Sequence, residues 1–224
     1  MKSNGTNHNL VVFSDFDGTI STQDVGNRLF HHFSQGKSEE TVGKWQRNEI
    51  DSRQCLIGEA ASMRPFTADE LFEFIDSFEI DTSFHEFLSL IRRNDIPLYL
   101  LSDGLDLYIN RILANNNING IPVFANKAIV TPDGFKFEFP YFEHSCGSCA
   151  NCKGYHIKTL CPEGHTSIYI GDGKSDLCAL PEADIIFAKD YLANYCHEKK
   201  IEFLPFDNFS GITKLLTEQF PNLI

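Results

Sequence analysis

Short apolar runs that end in polar turns alternate with stretches of helical period along the chain. Leu10-Val11-Val12-Phe13 is apolar and rich in β-branched residues, and an acidic, glycine-containing turn follows it. That pattern predicts a buried strand ending at Asp15. Across residues 22–86 the period changes. Leu71, Phe72, Phe74, Ile75 and Phe78 recur at helical spacing, and Thr67-Ala68-Asp69-Glu70 resembles a capping box. This segment reads as a helical insertion behind the first strand, with Trp45, Met63, Phe66 and Phe72 in its core or interface. Residues 97–101 predict a strand ending at Ser102-Asp103-Gly104, and the helix after it carries Leu107, Ile109, Ile112 and Leu113. Residues 123–125 read as a short strand. Residues 128–130 and 135–137 flank Pro132-Asp133-Gly134 as a hairpin. Strands at 167–170 and 184–188 and a last helix around 212–220 complete the pattern. The alternation predicts an α/β fold, a doubly wound, mostly parallel, Rossmann-like sheet with an inserted helical cap. The expected division is a core of residues 1–21 and 87–224 and a cap of residues 22–86.

Composition narrows the functional classes. At 224 residues and 42% hydrophobic, the chain can bury one large core or a core plus a small cap. Nineteen Lys and Arg against 31 Asp and Glu give a net charge of −12. That balance argues against a nucleic-acid or anionic-membrane partner, and it makes an anionic ligand depend on local cations. No apolar run reaches membrane-spanning length, and residues 1–9 are polar, without a secretory core. A soluble, cytoplasmic protein is expected, of open oligomeric state. Three of the seven cysteines cluster, as Cys146, Cys149 and Cys152, which in a reducing cytosol points to metal or redox chemistry rather than a disulfide framework.

Three predicted strands end in polar clusters: Asp15 with Asp17, Ser102, and Asp172 with Asp176. Open α/β sheets bind ligands at that edge. Carboxylates gathered there repel one another and lose solvation, so they call for a cation. A hard divalent ion, Mg²⁺, fits, with one carboxylate left as a nucleophile.

Asp15-Phe16-Asp17-Gly18-Thr19 directly after an apolar strand resembles the nucleophile motif of the haloacid dehalogenase-like phosphatases. The later succession of Ser102, Lys153, Asp172 and Asp176 is similar to that family's remaining motifs, so the resemblance spans the chain. It implies a small-molecule phosphomonoester as substrate. Asp15 is the expected nucleophile and forms an aspartyl-phosphate, while Asp17 is the general acid and base. The resemblance also implies that Ser102, Asp103, Gly104, Thr19 and Lys153 hold the phosphate. Asp15, Asp17 (through its carbonyl), Asp172 and Asp176 (through water, or by orienting Lys153) are the implied metal set. The helical insertion resembles the cap of the phosphoserine phosphatase-like branch. Two positions depart from phosphoserine phosphatases: Asp24 stands where they carry Glu, and Gly18 where they usually carry Ser.

The run His144-Ser145-Cys146-Gly147-Ser148-Cys149-Ala150-Asn151-Cys152-Lys153 resembles the branch that holds the methionine-salvage and the phosphoethanolamine/phosphocholine phosphatases. Ser102-Asp103-Gly104-Leu105-Asp106 and Phe187-Ala188-Lys189-Asp190-Tyr191-Leu192 resemble the methionine-salvage members. The implied substrate is the methylthiopentenyl enol phosphate, whose apolar tail Trp45 or Phe66 would suit. Phosphoethanolamine, phosphocholine, phosphoserine and pyridoxal phosphate are the alternatives. Arg47, Arg53 and Arg64 are either contacts for a substrate carboxylate or solvated. For the cysteine run three readings stay open: Zn²⁺ held by His144, Cys146, Cys149 and Cys152, reduced thiols packed in a loop, or a redox disulfide. Cys55, Cys161, Cys178 and Cys196 read as ordinary small buried residues, and His8, His31 and His32 as solvated surface. A phospho-accepting signalling receiver also gathers Asp, Ser/Thr and Lys on a doubly wound sheet, but it is much shorter and has no insertion after its first strand.

Overall fold

The central strand, β1 (Leu10–Ser14), is buried at all five positions, as a strand covered on both faces must be. Its side chains alternate. Leu10 and Val12 join an apolar cluster on one face, and Val11 and Phe13 join a second cluster on the other. The computed structural model describes residues 9–223, so His8 lies outside the described residues.

Among the described residues, β1 forms one sheet with β2 (Leu98–Leu105), β3 (Val123–Thr131), β4 (Gly134–Glu138), β5 (Thr166–Gly171), β6 (Ile185–Ala188) and β7 (Leu204–Pro205). The order is β4-β3-β2-β1-β5-β6-β7. All pairings are parallel except β3 with β4. β1 lies between β2 and β5, in register Val12 to Leu98 and Val12 to Ile168.

Between β1 and β2 come α1 (Val25–Ser34), α2 (Glu39–Gln46), α3 (Ser52–Ala61), α4 (Ala68–Asp76) and α5 (Phe84–Arg93). α1 to α4 form the helical insertion. Thr67 and Glu70 cap α4 reciprocally, as their spacing predicts. Phe33 of α1 is a hub, with ring centroids 5.2 Å from Phe66 and 5.7 Å from Phe74. Phe66 in turn lies 5.4 Å from Phe135 of β4, which joins the insertion to the sheet edge. α5 crosses the expected 86/87 boundary. It packs against α9 (Phe209–Gln219), with Phe84 and Phe87 within 4.8 and 5.0 Å of Phe209. The remaining helices are α6 (Asp106–Asn115), α7 (Lys153–Leu160) and α8 (Asp190–Lys199).

The expected short strand at 123–125 and the first arm of the hairpin are one strand, β3. Polar Asn126 and Lys127 break the apolar pattern, but buried Asn126 donates from Nδ2 to the Asp103 carbonyl at 2.7 Å. That bond lets the strand continue, pairing first with β2 and then with β4. Among the described residues no helix is long and apolar enough to cross a membrane.

Candidate active site

Because β1, β2 and β5 are parallel neighbours, the loops at their C-terminal ends open side by side, where the chain runs off in opposite directions from β1. Asp15 directly follows β1, and its N–H donates to the Ile170 carbonyl at 2.8 Å. The chain then turns through Gly18 at φ +74°. A Cβ there would lie 2.5 Å from Asp172 Oδ2, so the glycine gives both the left-handed turn and the room for Asp172. Thr19 Oγ1 donates to Asp172 Oδ1 at 2.6 Å, which holds that carboxylate rather than leaving the hydroxyl to a ligand.

Lys153 is the first residue of α7 and is completely buried. Its ammonium donates to Asp15 Oδ1 at 2.7 Å, to Ser175 Oγ at 3.0 Å and to Asp176 Oδ1. Burial alone would depress the lysine pKa, but Asp15 and Asp176 override it and hold the group well above its ordinary value. Both oxygens of Asp176 are engaged. Oδ1 also accepts from the Tyr169 hydroxyl, and Oδ2 accepts from the N–H groups of Asp172 and Gly173, both at 2.8 Å.

Asp17 faces the insertion. Its Oδ1 accepts from the N–H of Val25 at 3.0 Å and of Gly26 at 3.3 Å, and its Oδ2 from the Tyr108 hydroxyl at 2.7 Å and Ser102 Oγ at 3.3 Å. Burial, then the Asp24 charge, pushes its pKa up to about 7 against the Tyr108 bond. Burial, then Asp176, likewise pushes Asp172 up to about 7. Asp15 is raised by burial and by its acidic neighbours, with Lys153 opposing. Oxygens of Asp15, Asp172 and Asp176 lie within 4.8 Å of one another. An all-oxygen donor set with this much uncompensated acidity fits a hard divalent cation. Since Asp176 is saturated with hydrogen bonds, Asp15 and Asp172 are the carboxylates open to it.

Ser102 Oγ accepts from the Gly104 N–H at 2.9 Å. At Gly104 a Cβ would collide with the Tyr108 hydroxyl at 1.8 Å, so only glycine lets α6 bring Tyr108 to Asp17. The Asp103 side chain ties three segments together, accepting from the Asn151 N–H at 2.7 Å and from Ser52 at the start of α3. Its pKa is pushed up to about 6 by burial against those bonds.

Above these groups lies a cavity of about 170 Å³, sized for a small molecule and walled by Phe30 of α1, Val42 and Trp45 of α2, and Cys55, Leu56 and Glu59 of α3. Asp24 also lines it. Lys174, in the loop after β5, donates to the carbonyls of Trp45 at 2.9 Å and Gln46 at 2.8 Å and so fastens α2 over the site. Glu59 is buried, its Oε1 has no hydrogen-bond partner among the described residues, and burial pushes its pKa up to about 8.

Several predicted contacts are not brought here. Phe66 packs on Phe33 and Phe135. Arg47 pairs with Glu49, Arg53 lies over the Phe142 ring and Arg64 reaches Glu70, so none of the three lines the cavity. His144 stacks on Tyr155 at 4.4 Å and stays outside the thiol group. Cys178, expected to be an ordinary buried thiol, is half-buried, with its Sγ 3.6 Å from that of Cys149.

Sequence reasoning passed over Tyr108, Tyr169, Asn151 and Glu59. Asn151 Nδ2 donates to the carbonyls of Ser102 and Phe124, both at 2.8 Å, and fixes the β2 end against β3. Glu59 had a readable signal. Ser52, Cys55, Leu56 and Glu59 form the buried stripe of α3, and a carboxylate on such a stripe is an anomaly.

The fold, with its motif-bearing loops at the C-terminal edge of the sheet, is that of the haloacid dehalogenase-like class. Solved structures share the fold. A HAD family hydrolase from Salmonella enterica serovar Typhi superposes with a TM-score of 0.73 at 16% identity, covering 96% of this chain and 72% of that one. A phosphoserine phosphatase in its phospho-aspartyl intermediate analogue form gives 0.71 at 16% identity, covering 92% and 97%. The chain belongs to the Putative Phosphatase family, whose model matches residues 9–202. Curated relatives include 2-hydroxy-3-keto-5-methylthiopentenyl-1-phosphate phosphatases. That of Bacillus cereus is 30% identical over 220 residues, covering 93% of this chain and 98% of the relative. That of Bacillus mycoides is 30% identical over 210 residues, covering 91% and 94%. Family membership makes the chain an enzyme and sets aside the receiver alternative.

Proposed function

We propose that this phosphatase is Mg²⁺-dependent, acts through an aspartyl-phosphate on Asp15, and takes as its substrate the methylthiopentenyl enol phosphate of methionine salvage. The observation that carries the chemistry is the buried Lys153 ammonium between Asp15 and Asp176, beside Asp172 and beneath the cavity that the insertion walls. Asp15 attacks phosphorus and the bond to the leaving oxygen breaks. Asp17, with a pKa near 7, is partly protonated at neutral pH and gives its proton to that oxygen. As a carboxylate it then takes a proton from the water that hydrolyses the phosphoenzyme. Lys153, Ser102 and the backbone at Asp103 and Gly104 hold phosphate oxygens, and Thr19 acts by holding Asp172. Asp15, Asp172 and the Asp17 carbonyl are the Mg²⁺ ligands, and the ion when bound supplies charge neutralisation at the phosphate. Asp176 is a positioning residue for Lys153. Residues 22–86 act as the cap over a core of residues 1–21 and 87–224.

The substrate follows from the cavity wall and from what the relatives are named for. Phe30, Val42, Trp45 and Leu56 offer an apolar surface to a methylthio tail. Glu59, largely protonated at neutral pH, offers its carboxyl to a hydroxyl or keto oxygen. A second reading, phosphoethanolamine or phosphocholine, is favoured by Asp24 and Glu59 facing one cavity, since two acids suit an ammonium head. Phosphoserine is disfavoured because, among the described residues, no arginine lines the cavity to meet its carboxylate.

Phosphate release from a panel of the enol phosphate, phosphoethanolamine, phosphocholine, phosphoserine, pyridoxal phosphate and an aryl phosphate, with and without Mg²⁺, tests this. Mg²⁺-dependent preference for the enol phosphate is expected. Preference for an amine ester would overturn the substrate but not the chemistry, and turnover that ignores Mg²⁺ would overturn the metal.

A further inference from the structure

The cysteine run does not fold as its linear order suggests. Cys146, Cys149 and Cys152 bring their sulfurs within 4.8 Å of one another. Cys146 Sγ lies 3.4 Å from Cys149 Sγ, and Cys149 Sγ lies 3.6 Å from that of Cys178, 29 residues further along. The Cys152 thiol interacts with those of Cys146, Cys149 and Cys178. His144 is turned onto Tyr155, so the fourth group at this cluster is Cys178.

The spacing of the sulfurs discriminates among the readings. Zinc–sulfur bonds of about 2.3 Å set tetrahedral thiolates about 3.8 Å apart, close to the 3.4 Å from Cys146 to Cys149 and the 3.6 Å from Cys149 to Cys178, although Cys178 lies outside the trio whose sulfurs are all within 4.8 Å of one another. A disulfide needs its sulfurs at about 2.05 Å, and all seven cysteines are free. Two residues between successive cysteines and a remote fourth resemble an iron–sulfur ligand pattern. A four-iron cluster, however, carries one thiolate per iron and would hold them well beyond van der Waals contact. Four sulfur ligands around a single centre suit zinc.

We propose that Cys146, Cys149, Cys152 and Cys178 bind one structural zinc ion that clips the start of α7 to the turn after β5. Cys152 is the N-cap residue of α7, immediately before Lys153. Cys178 lies two residues beyond Asp176, the other partner of that lysine. The same loop meets the insertion, where the Ser52 N–H at the start of α3 donates to the Ser148 carbonyl at 2.9 Å. One ion thus fixes both sides of the Lys153–Asp176 pair and braces the base of the insertion. Four protein ligands leave no open position, so the ion is structural, and its binding releases the thiol protons.

The test is metal analysis of the full chain, expressed with zinc and purified without a metal-affinity tag or chelator. About one zinc per chain is expected. Cobalt in its place should give the visible bands and thiolate charge transfer of a tetrahedral sulfur site. Cys178→Ser should lose zinc at least tenfold more readily to a chromophoric chelator, while His144→Ala and Cys161→Ser behave as the unsubstituted chain. Zinc loss should also raise the number of thiols that react with Ellman's reagent in the native state. No zinc, a mass lower by two hydrogens, or stoichiometric iron would overturn the proposal. So would zinc kept by Cys178→Ser but lost by His144→Ala. If Cys178→Ser fails to fold, the cobalt spectrum of the unsubstituted chain still decides.

Discussion

Lys153 stands where ordinary rules forbid a lysine, fully buried and at the positive end of a helix. Two carboxylates within one hydrogen bond make it tolerable, and such local violations mark functional positions. Asp15→Asn removes the proposed nucleophile but leaves Asp176 to hold the lysine. The expected result is a fall in kcat of roughly 10⁴-fold or more with an unchanged circular dichroism spectrum; substantial residual turnover would place the nucleophile elsewhere. Tyr108→Phe deletes the 2.7 Å donor that opposes the rise of the Asp17 pKa. With that bond gone the pKa moves above about 7, so the limb of kcat that falls with rising pH should shift to higher pH. An unmoved limb would mean that Asp17 is not the acid. Asp15, Asp17, Lys153, Asp172 and Asp176 were legible in the sequence because strand ends and a glycine turn announce them. Tyr108, Asn151 and Cys178 were not, because each acquires its partner only through tertiary folding, 91, 49 and 29 residues away in sequence.

Polar contacts hold the helical insertion over the sheet, among them the Asp76 pairs with Arg111 and Asn115, and Lys174 makes the two that reach the end of α2. Its ammonium caps the C-terminal carbonyls at Trp45 and Gln46 and lies 4.9 Å from the Trp45 ring, a favourable place for a cation at a helix end. Lys174→Met should loosen α2 without touching the reacting groups. The expected outcome is a KM for the preferred substrate raised about tenfold, equivalent to ~1.4 kcal/mol, with kcat for a small aryl phosphate within about twofold. Equal losses on both substrates would show that Lys174 serves the phosphate rather than the cap. Element by element, legibility followed burial. β1 and β5 are buried at nearly every position around apolar cores and read directly, as does the capped α4. α8 buries only Leu192 and Cys196, a stripe too thin to stand out, and β7 is two residues long. β3 read as two pieces because its buried Asn126 mimics a break until the carbonyl of Asp103 is seen beside it.

The acidity of the whole chain, −12 by composition, is sharpest at the site, where Asp15, Asp17, Asp24, Asp172 and Asp176 converge. This makes stability depend on pH with a definite sign. Asp17 and Asp172 move from an ordinary value of 3.8 up to about 7, and Glu59 from 4.5 up to about 8. Over that interval the folded chain binds more protons than the unfolded one, so their stabilisation is complete below about pH 4 and is lost as the pH rises toward about 8. Carboxylates that are paired or hydrogen-bonded with lowered values, such as Asp76 with Arg111, act in the opposite direction only at lower pH. The metal-free protein should therefore lose Tm between about pH 5 and about pH 8. At the proposed site Mg²⁺ would bind the ionised Asp15 and Asp172 of the folded state, and it would stabilise by mass action in proportion to how far that ionised form is populated. Its effect on Tm should be small at about pH 5 and largest at about pH 8, so that the Mg²⁺-loaded protein shows a flatter profile. Thermal melts across that range, with the zinc content held constant, separate the two ions. A Mg²⁺ effect that shrank as the pH rose would contradict the carboxylate site, because only competition between protons and the cation for the same oxygens makes the two dependences mirror each other.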